Sequence, residues 1–316
     1  MALALGQGGP VIEVRVLGVA DCPGVDALLP RLRALLGSCG VPTDLRVVRV
    51  EGDADAHRLD FAGSPTVRVD GVDVEPDVGR PGGGGPGGEG PEADHSPGVS
   101  CRLYSTSAGV RDAPPEGWVL AALGRRVVET SPDEHRDDLL VRGPRPAVPA
   151  LVAHDPAWAA RFAEHRDRIV GALGARARLV EHIGSTAVAG LAAKPVVDVV
   201  VGVDDPDDED AYLPALVAAG YEVRVSEPGH RALRGGGPQA PVNVHCYAPD
   251  ADEVEHYRLL RDRLRASPDD RRCYEDAKRA LAGRAWPDMD RYAAAKGPVI
   301  RAVLAAARGE RAQAGR

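Results

Sequence analysis

Between Arg178 and Val203 the chain reads RLVEHIGSTAVAGLAAKPVVDVVVGV, and this stretch carries the side chains best suited to chemistry. Gly184, Ser185 and Thr186 make a turn of small residues between two runs of strand character, Leu179 to Ile183 and Pro195 to Val203. Such a turn can offer backbone amides and hydroxyls to a phosphate. Asp198 interrupts the second apolar run, where a carboxylate can hold a cation.

Other residues could join that chemistry. Of 39 basic residues only Lys194, Lys278 and Lys296 are lysine. A compact ammonium differs from a planar guanidinium, and the three read either as phosphate contacts or as ordinary surface charges. The segment PGHRALRGGGPQAP carries Arg231 and Arg234, two further phosphate-binding candidates, ahead of the strand VNVHCYA. Alternation in that strand puts Asn243, His245 and Tyr247 on one face and Val242, Val244 and Cys246 on the other. His245 is either a site residue or a histidine satisfied by its own hydrogen bonds. In the C-terminal third, Tyr257 with Arg261, Tyr274 with Lys278 and Tyr292 with Lys296 each stand four apart and share a helix face. An aromatic beside a cation suits a base stacked above phosphates; stapling between helices is the alternative.

Elements must position these groups. HDPAWAARFAEHRDRIVGALG opens a second domain over residues 148–308, with Asp155 as helix cap, Pro156 at the first helical position and an apolar face of Trp158, Phe162, Ile169 and Leu173. After the Asp198 strand come an acidic loop, DDPDDED, a helix around Ala211 to Ala219 and the strand YEVRV. The 228–241 segment is assigned no element, the C-terminal third reads as helices with a bend at Lys296–Gly297–Pro298, and residues 309–316 as a disordered tail.

Ahead of this lies a first domain, residues 8–123. A strand at 11–18 leads to Cys22 at the start of a helix spaced by Leu28, Leu29, Leu32, Leu35 and Leu36. A strand at 45–50, a short helix near 53–60, the turn Ser64–Pro65–Thr66 and a hairpin at Asp70–Gly71 follow. Residues 79–98, mostly Gly and Pro, read as a flexible insertion, and charged residues 124–147 as a linker with a helical turn near Asp133 to Leu140.

Composition limits the function classes. At 316 residues with 4% aromatics, the core must be built from Val, Leu and Ala, which fits α/β layers. A net charge of −8 disfavours extended nucleic acid while leaving small phosphorylated ligands open. MALALGQGGP has no basic stretch or long apolar core, and no apolar run approaches about 18 residues, so no membrane span and a cytoplasmic location are expected. Five cysteines without a CxxC pair argue against a disulfide framework or zinc knuckle.

EHIGSTAVAGLAAKPVVDVVVGV, HDPAWAARF, VNVHCY, YEDAKRAL and RYAAAKGPVI together resemble the GrpB family, which is placed in the nucleotidyltransferase fold. The resemblance implies a mixed sheet with flanking helices and the binding of a nucleotide or other phosphorylated small molecule. It also implies nucleotidyl transfer with a divalent metal, Mg²⁺ or Mn²⁺. Carried over by position, Gly184 and Ser185 match the phosphate turn and Asp198 the first metal carboxylate, with Lys278 and Lys296 neutralising phosphate charge. Active nucleotidyltransferases usually carry a second acid two positions on, where this chain has Val200, so a metal would have to borrow ligands such as His245, or Glu181 and His182 beside the turn. That departure keeps a non-catalytic nucleotide-binding or regulatory module as the alternative.

The order of elements over residues 11 to about 123 resembles the thioredoxin and glutaredoxin superfamily. The resemblance implies a cis Pro65 facing Cys22. The fourth position of a CxxC motif is Val25 here, which leaves only a monothiol role for Cys22 or pairing with Cys101; a packed thiol is the other reading.

Overall fold

A computed structural model of the chain describes residues 10–76, 100–106, 109–130 and 146–314. The Gly/Pro-rich segment 79–98 and the expected helical turn near 133–140 lie outside the described residues. The whole is a mixed α/β structure with two main sheets.

The N-terminal sheet has four strands in the order β2-β1-β3-β4. Strand β1 (Ile12–Gly18) runs parallel to β2 (Thr43–Arg49) and antiparallel to β3 (Thr66–Val69), which pairs with the short β4 (Val72–Asp73). The β3–β4 turn is the expected Asp70–Gly71, with both φ angles positive, and the Ser64–Pro65 peptide is cis. Helix α1 (Pro23–Ser38) follows Cys22, and α2 (Asp53–Arg58) covers Leu17, Val50 and Phe61 from the opposite face. A small hairpin, β5 (Tyr104–Thr106) and β6 (Gly109–Arg111), precedes α3 (Glu116–Thr130). Residues 124–130, expected as the start of the linker, therefore continue a helix. Leu120, Leu123 and Val128 supply the apolar spacing that holds it down, which the neighbouring pair Arg125–Arg126 obscures in the sequence.

The C-terminal sheet has the order β7-β8-β11-β10-β9. Helix α4 (Ala157–Leu173) leads to β7 (Leu179–Ile183), antiparallel to β8 (Val197–Gly202). Helix α5 (Leu213–Ala218) precedes β9 (Glu222–Glu227), β10 (His230–Gly235) and β11 (Val242–Tyr247), the last parallel to β8. The segment around Arg231 and Arg234, to which the sequence alone assigns no element, is thus an inner strand. Val197, Val199 and Val201 with Val242, Val244 and Cys246 face α4 and α5, burying Trp158, Ile169, Leu213 and Leu216 in one apolar layer. The alternate residues face four helices: α6 (Asp252–Ala266), α7 (Pro268–Leu281), α8 (Met289–Ala295) and α9 (Gly297–Ala314). The chain breaks at Lys296 between α8 and α9, as the Gly–Pro pair implies, and residues 309–314 are helical rather than a disordered tail. Among the described residues no helix is long and apolar enough to cross a membrane.

The two halves share a core. Leu28, Leu32, Leu120 and Leu123 from the N-terminal half pack in one cluster with Tyr274, Leu281, Tyr292 and Val299. The contact depends on two glycines of α3. Any Cβ at Gly117 would meet the Cys273 carbonyl of α7, and one at Gly124 would overlap the Ala295 carbonyl at the end of α8. Backbone-to-backbone packing of this kind leaves no slack. Gly124→Val should therefore cost about 1–3 kcal/mol of stability in urea unfolding. Gly171→Ala, on open helix surface with nothing within 4 Å, should instead gain about 0.5–1 kcal/mol. Equal midpoints for the two variants would contradict the shared core.

Candidate functional site

The site begins where β7 ends. Gly184 has φ of +71°, a conformation that favours glycine, and a Cβ there would sit 2.6 Å from Asp198 Oδ2. The turn can therefore press its backbone against the carboxylate. Residues 185–187 form a single tight helical turn. Thr186 points inward, its hydroxyl 3.0 Å from His182 Nε2, so it braces the turn. His182 stacks on Phe162 at 4.8 Å and is held near a pKa of about 4, first by burial and then by Arg265 and Arg261. Ser185 faces the helices, where its hydroxyl accepts from Lys278 Nζ at 2.9 Å. That ammonium also donates to the Ala192 carbonyl at 2.6 Å and is 2% exposed.

A polar row crosses the sheet beside the turn. Strand register aligns Arg234, Asn243 and Asp198 on three adjacent strands. Arg234 Nη1 donates to Asn243 Oδ1 at 2.7 Å, and Asn243 Nδ2 donates to Asp198 Oδ1 at 2.8 Å. The amide is thereby oriented, and the carboxylate is held as an acceptor. Burial raises the Asp198 pKa, while Asn243, Lys194, Lys296 and Arg234 pull it back.

Two more lysines reach this point. Lys194 Nζ lies 5.9 Å and Lys296 Nζ 5.1 Å from the Tyr292 ring centre, so one aromatic ring serves both. Among the described residues, neither ammonium makes a hydrogen bond or ion pair. The Tyr292 hydroxyl, on a residue 2% exposed, has no hydrogen-bond partner either. Lys278 sits 5.3 Å from the Tyr274 ring. These groups line a cavity of about 750 Å³ that also takes in Gly184, Ser185, Thr186, Asp198, Arg234, Asn243 and His245. Tyr257, Leu260, Ile300 and Leu304 give it an apolar wall.

Some expected residues lie elsewhere. Arg231 opposes Cys246 on the α5 side of the sheet, where Asp207 and Glu209 pair with it, because alternation along β10 sends Arg231 and Arg234 to opposite faces. Cys22 is buried in the shared core, 7% exposed and away from the cavity. Arg261 leaves Tyr257 to pair with Glu181 and Asp262, so only two of the three tyrosine–cation pairs serve the cavity. Arg224 from β9, Glu253 and His256 from α6, and Asp288 and Asp290 beside α8 also line it. No local periodicity marks these: Arg224 lies on the edge strand, and Glu253, His256, Asp288 and Asp290 at or near helix starts.

The metal expectation is tested by the donor set. Val200, where a second acid would stand, is fully buried with Ile183, Tyr247 and Val254 under α6. Among the described residues no group of three or more His, Cys, Asp or Glu is placed to hold a metal ion. The charged groups that act on Asp198 are Lys194, Lys296 and Arg234, all cations. Asp198 thus has cations around it and no second acid beside it on the strand, a setting that does not fit Mg²⁺ or Mn²⁺, which take several oxygen ligands.

Residues 149–306 match the family described as GrpB protein. A UPF0157 protein of Streptomyces coelicolor is 51% identical over 52% of this chain and 87% of its own length. Another, of Halalkalibacterium halodurans, is 37% identical over 51% of this chain and 83% of that protein. A protein named dephospho-CoA kinase in Mycolicibacterium paratuberculosis is 32% identical over 48% of this chain and 44% of its own length. Among solved structures, a conserved GrpB protein of Enterococcus faecalis shares 30% identity, with 49% of this chain and 97% of that one covered and a TM-score of 0.41.

The lysines make the site pH-sensitive. Burial, then Lys296, lowers Lys194 to about 8, and Lys278 and Lys296 are lowered by burial as well. A lysine depressed in the fold binds its proton less well folded than unfolded. Its charging therefore costs stability below the folded pKa, and that cost is relieved as pH rises toward the ordinary lysine value of about 10.4. Urea unfolding should show this part of the stability rising above about pH 8, while affinity for inorganic phosphate falls as Lys194 loses its proton. Phosphate affinity unchanged from about pH 7 to about pH 9.5 would count against the lysines as its ligands.

Proposed function

The chain belongs to the GrpB family through residues 149–306, and from that premise we propose that its cavity binds a nucleotide or another phosphorylated small molecule. The anion is held by Lys194, Lys278, Lys296 and Arg234, with Ser185 and the backbone of the Gly184 turn as donors. One observation carries the reading: Lys194 and Lys296 are partly buried ammonium groups that line a cavity yet make no hydrogen bond or ion pair among the described residues. A buried charge without a partner is costly, and a phosphate supplies the missing acceptors. The apolar wall around Tyr257 and Leu260 accommodates the body of such a ligand.

Nucleotidyl transfer in the two-metal manner is not part of the proposal, because the acids it needs are replaced by Val200 and by cations around Asp198. The ligand is bound as an anion by side chains, with Asp198 keeping Arg234 and Asn243 in place. That a related segment occurs in proteins named dephospho-CoA kinase supports a nucleotide-bearing ligand.

For the N-terminal half the proposal is a thioredoxin-like arrangement, supported by the strand order and by Pro65 packed against Gly24 at the start of α1. Its role here is to brace the lysine-bearing helices through α3. The buried Cys22 thiol is given a packing role.

Thermal shift with ATP and with inorganic tripolyphosphate should raise the unfolding temperature of the protein. Lys278→Met and Lys296→Met should each weaken both ligands by about 10- to 100-fold, the loss of one charge-assisted contact. Arg231→Met, on the other face, should leave them unchanged. Equal binding by all three variants would remove the lysines from the site.

A further inference from the structure

His245 lies two residues beyond Asn243 on β11, roughly 7 Å along the strand, and lines the same cavity. It ends a chain of hydrogen bonds that starts near the surface. Glu227 Oε1 is 2.6 Å from His230 Nδ1, and His230 Nε2 is 3.2 Å from His245 Nδ1. The His230 ring is fixed by stacking on Tyr247 at 4.4 Å and 7°, and it lies parallel to His245 at 5.4 Å and 12°.

Proton positions follow from these contacts. A carboxylate only accepts, so neutral His230 carries its proton on Nδ1 and leaves Nε2 bare. That bare nitrogen must accept, so His245 carries its own proton on Nδ1. Its Nε2 keeps a lone pair and makes no hydrogen bond among the described residues. Burial holds His230 below the ordinary imidazole range and His245 at about 3, so both rings stay neutral around pH 7. Among the described residues no metal-holding group of side chains includes that nitrogen.

We propose that His245 Nε2 is a specificity-determining acceptor, set in one tautomer by Glu227 through His230, which takes a hydrogen bond from an N–H or O–H group on the body of a phosphorylated ligand. The proposal rests on the anion-binding reading of the cavity and adds to it. The lysines hold the phosphate, and His245 selects a ligand that also carries a donor. Inorganic polyphosphate satisfies the first requirement and offers little to the second, whereas a nucleoside phosphate meets both.

Two measurements test this on the full chain. Nitrogen-15 NMR of histidine-labelled protein near neutral pH should show His245 protonated on Nδ1 and bare on Nε2, with the Nε2 signal moving when ATP is added. A protonated Nε2 in the free protein would overturn the proposal. Calorimetric titration should show His245→Phe binding ATP about tenfold more weakly while tripolyphosphate binds as to the wild type. Retained tripolyphosphate binding also establishes that the variant is folded. Equal loss of both ligands, or loss of neither, would overturn the role of His245 and leave the lysine site standing. Failure of the wild type to bind either would overturn both.

Discussion

A cluster of partly buried cations around one carboxylate shapes the candidate site. Lys194, Lys278, Lys296 and Arg234 converge on one carboxylate, Asp198, and Lys296 lowers the proton affinity of both other lysines. Taking an ammonium group out of water costs several kcal/mol even after relaxation. The Tyr274 and Tyr292 rings recover part of this, about 0.5–2 kcal/mol per contact. Fold elements that contribute little to the sheet core are then explained by what they hold. Helix α7 carries Lys278, the α8–α9 break carries Lys296, and α3 presses its glycines against α7 and the end of α8. The N-terminal half thus packs directly against the elements that carry these lysines.

Alternation along two parallel strands separates stability from chemistry. On β8 and β11 one set of side chains is wholly apolar and seals the α4 face, while the other provides Asp198, Asn243 and His245. Val200 lies on the chemical face but is covered by Val254 of α6. The same surface therefore changes along its length from polar site to packed core, and a second metal-binding acid would have to be buried in apolar contact. The departure from the active nucleotidyltransferase pattern is a packing decision as much as a loss of a ligand.

Much of the site was legible in the sequence. The turn at 184–186, the interrupted strand at Asp198, the face assignment of Asn243 and His245 and two of the tyrosine–lysine pairs all follow from short-range periodicity. What escaped depends on partners distant in sequence. Strand β10 is short, bounded by glycines and rich in arginine, so it carried no clear strand signal; without it neither the opposite directions of Arg231 and Arg234 nor the Glu227–His230–His245 chain could be seen. The extension of α3 past Gly124 was hidden because a glycine followed by two arginines reads as a helix end. Its reason for being glycine lies on α8, about 170 residues away, where no local rule reaches. Metal binding was expected from family resemblance and one carboxylate; the charges gathered around that carboxylate come from four separate places in the sequence.

The central claim is that side-chain cations, and not a divalent metal, hold the anion. Calorimetric titration of ATP into metal-free protein in the presence of EDTA tests it most directly. Binding in EDTA that is weakened by replacing Lys296 with methionine is the expected result. Binding that appears only when Mg²⁺ or Mn²⁺ is restored would contradict the account.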